Sequence, residues 1–367
     1  MVININDYGC YDQDAIHLSR FTQAYGVLIV LREPDLTIAQ ISSNVEAWFG
    51  LSPQSLLNQP LTTLFSSTTV PSLGDRQQQE KGDFFYRFQC QQEVQGRLKH
   101  FQGLLRRHCP YLVLELERID DHERLTTPPR DFHERIKTFL HQIHPETTFQ
   151  ATADLIVQEV QQVTGYDRML LLQFMEDESG LIIAETAKDP SSQHRYQGLR
   201  FPPLDVPPIA RRTFSANRLR MIVDFTAPQA TLVPPINPIT QQPFDSIASM
   251  LMGVSPCHIE YCQNMGLAAT LVVALMDGDR LWGLLVGQHN TPKYLPPDLR
   301  NYCDSLGHLM SLELPRKQAQ EIDRYRQTIN QTLAGLREDL KKIDQDWSFP
   351  LPVSYTHLRA HETKANL

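Results

Sequence analysis

Two neighbouring segments constrain the fold more than anything else in the chain. Thr270-Leu271-Val272-Val273-Ala274-Leu275-Met276 and Leu281-Trp282-Gly283-Leu284-Leu285-Val286 flank Asp277-Gly278-Asp279. Such a short Asp/Gly spacer predicts a hairpin turn. Both strands are apolar on both faces, so the sheet they belong to needs cover on both sides, most simply from helices. Helical cover is present upstream. Residues 132–143 and 148–162 read as helices, the second with Ala151, Leu155, Ile156, Val160 and Val163 at helical spacing and Gly165 to end it. Further strands are expected at 169–174, 181–184 and 221–224.

The first third of the chain has its own texture. Gly26 to Leu31 and Thr37 to Ile41 read as strands around a Glu33-Pro34-Asp35 turn. Short helices are expected from Asn44 to Phe49, closed by Gly50, and from Pro53 to Asn58. Strands follow at 83–89, 97–106 and 111–117. Strands, small helices and an antiparallel run make an α+β pattern. The charged stretch from Asp120 to Arg130, with Pro128 and Pro129, is a domain boundary. Residues 225–256 hold six prolines, Pro228, Pro234, Pro235, Pro238, Pro243 and Pro256, and read as a long functional loop. From Lys317 to Asp344 an amphipathic helix repeats Ile322, Ile329, Leu336 and Ile343, with Leu333 and Leu340 between them, as a seam for a partner helix.

Charge and composition exclude several functions. A net charge of −8 with no Lys/Arg-rich block argues against nucleic acid. No apolar run is long enough to cross a bilayer and no leader pattern opens the chain, so a cytoplasmic protein with no membrane partner is expected. Six scattered cysteines suit reduced thiols better than a disulfide framework. No zinc spacing, phosphate loop or hydrolase elbow occurs. The tail, residues 353–367, resembles translated adaptor sequence, and its His357/His361 pair is not taken as a metal site.

One segment carries chemistry. A helix is expected to start near Cys257, just after Pro256, which places a thiol in the first turn beside His258. Oriented N–H groups there favour thiolate, and the imidazole can move protons. Such a dipeptide is more often inert packing than a nucleophile, as Cys262 is expected to be.

Resemblance decides between these readings. Phe201-Pro202-Pro203-Leu204-Asp205-Val206-Pro207 resembles the FPASDIP signature of phytochrome GAF domains. Residues 255–266 resemble the helix to which the family attaches a bilin, Leu281-Trp282-Gly283-Leu284-Leu285 its WGLI strand, and Thr164-Gly165-Tyr166-Asp167-Arg168 its TGYDR turn. Ile16-His17 followed by Tyr25-Gly26-Val27-Leu28 resembles the opening of the phytochrome PAS domain. The resemblance spans roughly residues 10–345.

It implies an α+β chain with an N-terminal arm (1–20), a PAS domain (21–119), a linker (120–131), a GAF domain (132–315), a connecting helix (316–346) and the start of a further domain (347–367). The arm would thread the 225–256 loop as a knot. The implied function is red/far-red photoreception by 15Z/15E isomerisation of a linear tetrapyrrole, phycocyanobilin first and biliverdin second. Cys257 is the implied attachment site and Cys10 the alternative. His258, the Asp205 carbonyl, the propionate-binding Arg220 and the D-ring Tyr261 are implied contacts, with Thr270. The sequence departs from the family at Leu172, Met252 and Gln288, where a tyrosine, a second arginine and a histidine are usual, with His289 next to the last. Attachment would be autocatalytic, not an enzyme activity. A homodimer through the C-terminal helix is implied, with a PHY domain and histidine kinase beyond the chain. The competing readings are a PAS–GAF dimerisation module without bilin and a GAF domain for another small ligand, such as a cyclic nucleotide.

Overall fold

A computed structural model describes residues 20–65, 85–119, 132–189 and 195–346. Cys10, the arm before Arg20, the 120–131 linker and the tail lie outside these residues. Contacts divide the chain into two units, one up to Leu314 and one from Pro315.

The first sheet starts with β1 (Phe21–Thr22), β2 (Gly26–Arg32) and β3 (Ile38–Ser42). Two short helices follow, α1 (Val45–Phe49) and α2 (Pro53–Leu56). Gly50 closes α1 at φ 74°, a left-handed conformation that glycine takes without strain. The Ser52 hydroxyl caps α2 by accepting from the Ser55 N–H, and Pro53 takes the first turn. Then come β4 (Phe85–Val94), β5 (Arg97–His108) and β6 (Tyr111–Ile119). One face of these strands packs on α1 and α2 through Ile29, Leu31, Phe49, Phe101 and Leu114.

The second sheet is led by α3 (Phe132–Gln142) and α4 (Phe149–Thr164), the latter capped by Thr148, whose hydroxyl accepts from the Ala151 N–H at 3.1 Å. Its strands are β7 (Arg168–Phe174), β8 (Gly180–Ala187), β9 (Arg200–Phe201) and, after α5 (Pro208–Ala216), β10 (Leu219–Ile222). The expected strand at 221–224 therefore lies two residues earlier. The chain then leaves for β11 (Ala230–Val233) and returns through α6 (Pro256–Asn264) to β12 (Ala269–Asp277), β13 (Arg280–His289) and α7 (Pro297–Asp346). The order is β10-β12-β13-β7-β8-β9, with each neighbouring pair antiparallel.

Strand parity organises this sheet. Odd-numbered side chains such as Met169, Leu171, Leu271, Val273 and Leu285 pack against α4 and the first part of α7. Each fully buried Ile or Val on α4, such as Ile156, Val157 and Val160, contributes about 1.5–3 kcal/mol. The even-numbered set faces the other way, toward α5 and α6, so the hairpin is covered on both sides as expected.

The 225–256 segment is less irregular than its prolines suggest. β11 pairs with both β1 and β3, so the loop adds a strand to the first sheet, whose order is β1-β11-β3-β2-β6-β5-β4. A four-residue strand bounded by prolines carries no periodic signal of its own; pairing supplies it. In the unit from Pro315, Ile322, Ile329, Leu333, Leu336 and Leu340 form an exposed apolar stripe.

Candidate functional site

The even-numbered face of the second sheet, with α5 and α6, encloses a largely apolar cavity of about 180 Å³. Leu172 from β7, Arg220 from β10, Thr270 from β12 and Gln288 from β13 line it, and Thr270 and Gln288 are register partners. The 3-10 turn Pro203–Asp205 brings Asp205 to its edge. Burial holds the Asp205 carboxyl above its ordinary range.

Helix α6 supplies the fourth wall. Ser255 caps it, its hydroxyl accepting from the His258 N–H at 3.3 Å, and Pro256 opens the first turn. That puts Cys257 in the first turn and points His258, Tyr261 and Cys262 into the cavity. His258 and Tyr261 stack at 6.4 Å with a 14° tilt, and Phe225 meets the imidazole edge-on at 5.8 Å. Nε2 of His258 lies 3.7 Å from the Cys262 sulfur. Burial, then the charge of Arg220, pulls the imidazole down to about 4, so it is neutral at neutral pH. Burial pushes the Cys262 thiol up to about 12, which fits the packing role expected of it.

Arg220 is the unusual group. Its Nη2 donates to the Gly253 carbonyl at 2.9 Å. Its Nε is sealed from solvent and has no hydrogen-bond partner. No carboxylate pairs with it among the described residues, and burial draws the guanidinium down to about 10. A buried cation in an apolar wall without a counter-charge is costly unless an anion joins it.

Residues 10–119 match the PAS fold family and residues 148–305 the GAF domain family. Cyanobacterial phytochrome B of Nostoc sp. is 34% identical over 84% of this chain and 41% of its own length. The chain thus spans less than half of that curated relative. The chromophore-binding domain of phytochrome P1 from Stigmatella aurantiaca is 31% identical with a TM-score of 0.70, over 80% of this chain and 96% of that one. The chain belongs to the phytochrome family. A second phytochrome structure, the chromophore-binding domain of an unusual bacteriophytochrome from R. palustris, aligns with TM-score 0.75 at 28% identity, over 84% of this chain and 99% of that one.

Of the residues singled out by the phytochrome resemblance, Leu172, Asp205, Arg220, His258, Tyr261, Thr270 and Gln288 come together around the cavity. Three do not line it. His289 is odd-numbered and faces away, with Nδ1 2.8 Å from an Asp167 carboxylate oxygen. Met252 is 2% exposed and bridges to Thr22. Cys257 adjoins the cavity through its neighbour His258 but is not part of the wall. Among the described residues Cys90, Cys109, Cys262 and Cys303 are free. A first-turn thiol is the kind most prone to exchange. The alternative, Cys10, lies outside the described residues.

Sequence reasoning missed the apolar walls from Leu170, Val272, Leu284 and Val286, which the even parity of the strands would have found. It also missed Gln23, whose side chain donates to the carbonyls of Met221 and Met252 at 2.9 and 3.2 Å. No local signal marks that residue.

Proposed function

We propose that this chain is the bilin-binding part of a red/far-red photoreceptor, with the tetrapyrrole held between the even-numbered sheet face and α5 and α6. The observation that carries the reading is Arg220, a buried guanidinium without a carboxylate on an otherwise apolar wall. A propionate of a linear tetrapyrrole supplies the missing anion and its conjugated rings suit the rest of the lining. When bound, the bilin supplies visible absorption and a double bond that isomerises from 15Z to 15E. Neutral His258 stacked on Tyr261 offers the central pyrroles a polar edge. The Asp205 backbone is proposed to accept from pyrrole N–H groups. At the far end Leu172 offers no hydroxyl, and Gln288 cannot take up a proton as a histidine would.

Attachment is assigned to Cys257, with phycocyanobilin the favoured chromophore and biliverdin through Cys10 the alternative. Thiol addition to a ring-A double bond forms the S–C bond and leaves the proton on the adjacent carbon. A module that dimerises without bilin is the second reading. It draws on the cavity's 180 Å³, below the ~300–1,000 Å³ of sites for drug-sized ligands. Dimerisation through the exposed stripe of α7, a downstream kinase and a cytoplasmic location complete the proposal. Among the described residues no helix is long and apolar enough to cross a membrane. The test is expression in cells making phycocyanobilin. A purified red-absorbing protein that fluoresces on a zinc-soaked denaturing gel supports the reading; a colourless protein from reducing conditions refutes it.

A further inference from the structure

A second cavity, of about 490 Å³, lies between the first sheet and the start of α7, away from the proposed bilin site. Register places Arg87, Leu104 and Glu115 in one row across β4, β5 and β6. Arg106, two residues beyond Leu104, shares that face. From α7 come Arg300, Asp304 and His308 at helical spacing, and Arg218 closes one end.

Glu115 and Glu117 are already engaged, while Asp304 is half-exposed and adds its charge to that of Glu117 beside Arg87. Glu117 accepts from Arg300 Nη2 at 2.5 Å and from the Tyr294 hydroxyl at 2.6 Å. Glu115 accepts from the Ser249 hydroxyl, and burial holds its carboxyl above the ordinary range. Asp304 lies 3.8 Å from His308 Nε2. The remaining arginines contact groups other than carboxylates. Arg87 donates to the Asn301 side-chain oxygen, Arg106 to the Ala248 carbonyl, and Arg218 Nη1 lies 2.7 Å from His308 Nδ1. None of the three forms an ion pair among the described residues. A guanidinium carries five N–H donors, so most of theirs are left for something else. Burial and the neighbouring charge of Arg300 hold the Arg87 guanidinium below its ordinary value. Arg300 Nε is itself buried without a partner.

At the mouth the Phe85 ring is 51% exposed. The guanidinium carbons of Arg87 and Arg106 lie 4.9 and 5.9 Å from its centroid. Both guanidinium groups lie over the ring as cation–π partners, and its exposed remainder can stack on a planar group while the arginines hold that group's charge.

We infer that this cleft binds a small multiply charged oxyanion, phosphate- or carboxylate-bearing, through Arg87, Arg106 and Arg218, with Phe85 as a platform for a planar substituent. The inference does not rest on the bilin reading, since no wall residue is shared.

Titration calorimetry of the whole chain in low-salt buffer, with pyrophosphate, citrate and ATP as separate probes, tests it. One saturable site is expected. ATP tighter than pyrophosphate identifies a nucleotide-like ligand, and Phe85→Ala should remove that difference. Citrate tightest identifies a polycarboxylate. The double variant Arg87→Gln/Arg218→Gln should weaken the best probe by about tenfold or more. Arg280→Gln, an exposed control paired with Asp277, should not. If the double variant unfolds more easily, the single exposed substitution Arg87→Gln should still weaken the best probe severalfold. Bilin loading should be unchanged throughout. No heat at millimolar concentrations of all three probes, or affinity unmoved by Arg87→Gln, or lost equally in Arg280→Gln, overturns the inference.

Discussion

Replacing Arg220 with methionine should stabilise the bilin-free protein while impairing bilin loading. The arginine is held in the fold at a cost: burial takes it down to about 10 from an ordinary value of 12.5. At about 1.36 kcal/mol per pKa unit, the charged form is disfavoured by about 3 kcal/mol relative to water. Methionine keeps an unbranched apolar stem and removes the charge. It also removes the hydrogen bond to Gly253, which contributes about 1 kcal/mol. The balance is a gain of about 2 kcal/mol, read as a higher urea midpoint of the bilin-free protein by circular dichroism. Loading should move oppositely, because a charge-assisted contact to a propionate contributes about 1.5–3 kcal/mol, or about 10- to 150-fold in affinity. Assembly followed by absorbance measures this. A methionine variant less stable than the parent would refute the argument that Arg220 lacks an anion. Unchanged assembly would remove Arg220 from the bilin site.

Three further outcomes concern the same site. Cys257→Ala should abolish the zinc-fluorescent band; a band that survives in Cys257→Ala and disappears in Cys10→Ala identifies the other thiol. The double variant Leu172→Tyr/Gln288→His should raise the photoconverted fraction above that of a poorly converting, more fluorescent parent, and a parent that converts fully to a stable far-red-absorbing form contradicts this. His258 is neutral in the fold with a pKa near 4 against 6.5 when unfolded, so the unfolded chain takes up the proton first as pH falls. Its contribution is complete above pH 6.5 and declines toward pH 4 by up to about 3 kcal/mol, so the urea midpoint should drop more between pH 7 and 5 in the bilin-free parent than in His258→Asn.

How much of this was legible depended on whether the cause was local. The hairpin around Gly278, the helix end at Gly165 and the first-turn place of Cys257 all follow from neighbouring residues, and the sequence predicts them correctly. Parity was equally available: Gln288 and His289 are adjacent on one strand, so only one of them can face the cavity. What could not be read was non-local. β1 and β9 are two residues long and exist through their pairing with β11 and β8. The second cavity joins residues from β4 and α7, more than 200 positions apart, and no window of sequence contains both.

Position 252 is where that non-locality matters most for engineering the pocket. The resemblance suggests that Met252→Arg would restore a second propionate ligand. The structure argues the opposite. Three successive carbonyls here are taken by other elements: Leu251 by the Gln23 N–H at 2.9 Å, Met252 by the Gln23 side chain at 3.2 Å and Gly253 by Arg220 at 2.9 Å. A helix or ladder strand would use those carbonyls itself, so the segment has to be irregular to serve all three. It has little room to shift, since a Cβ on Gly253 would stand 2.5 Å from the Phe21 carbonyl oxygen. With Met252 2% exposed and off the cavity wall, a guanidinium in its place would have to give up its hydration in a buried site. Met252→Arg should therefore destabilise the bilin-free protein by several kcal/mol and leave loading no better. Unfolding in urea and assembly by absorbance check both parts. A variant that is as stable as the parent and loads bilin faster would show that position 252 can turn into the cavity, and that Arg220 need not bind the propionate charge alone.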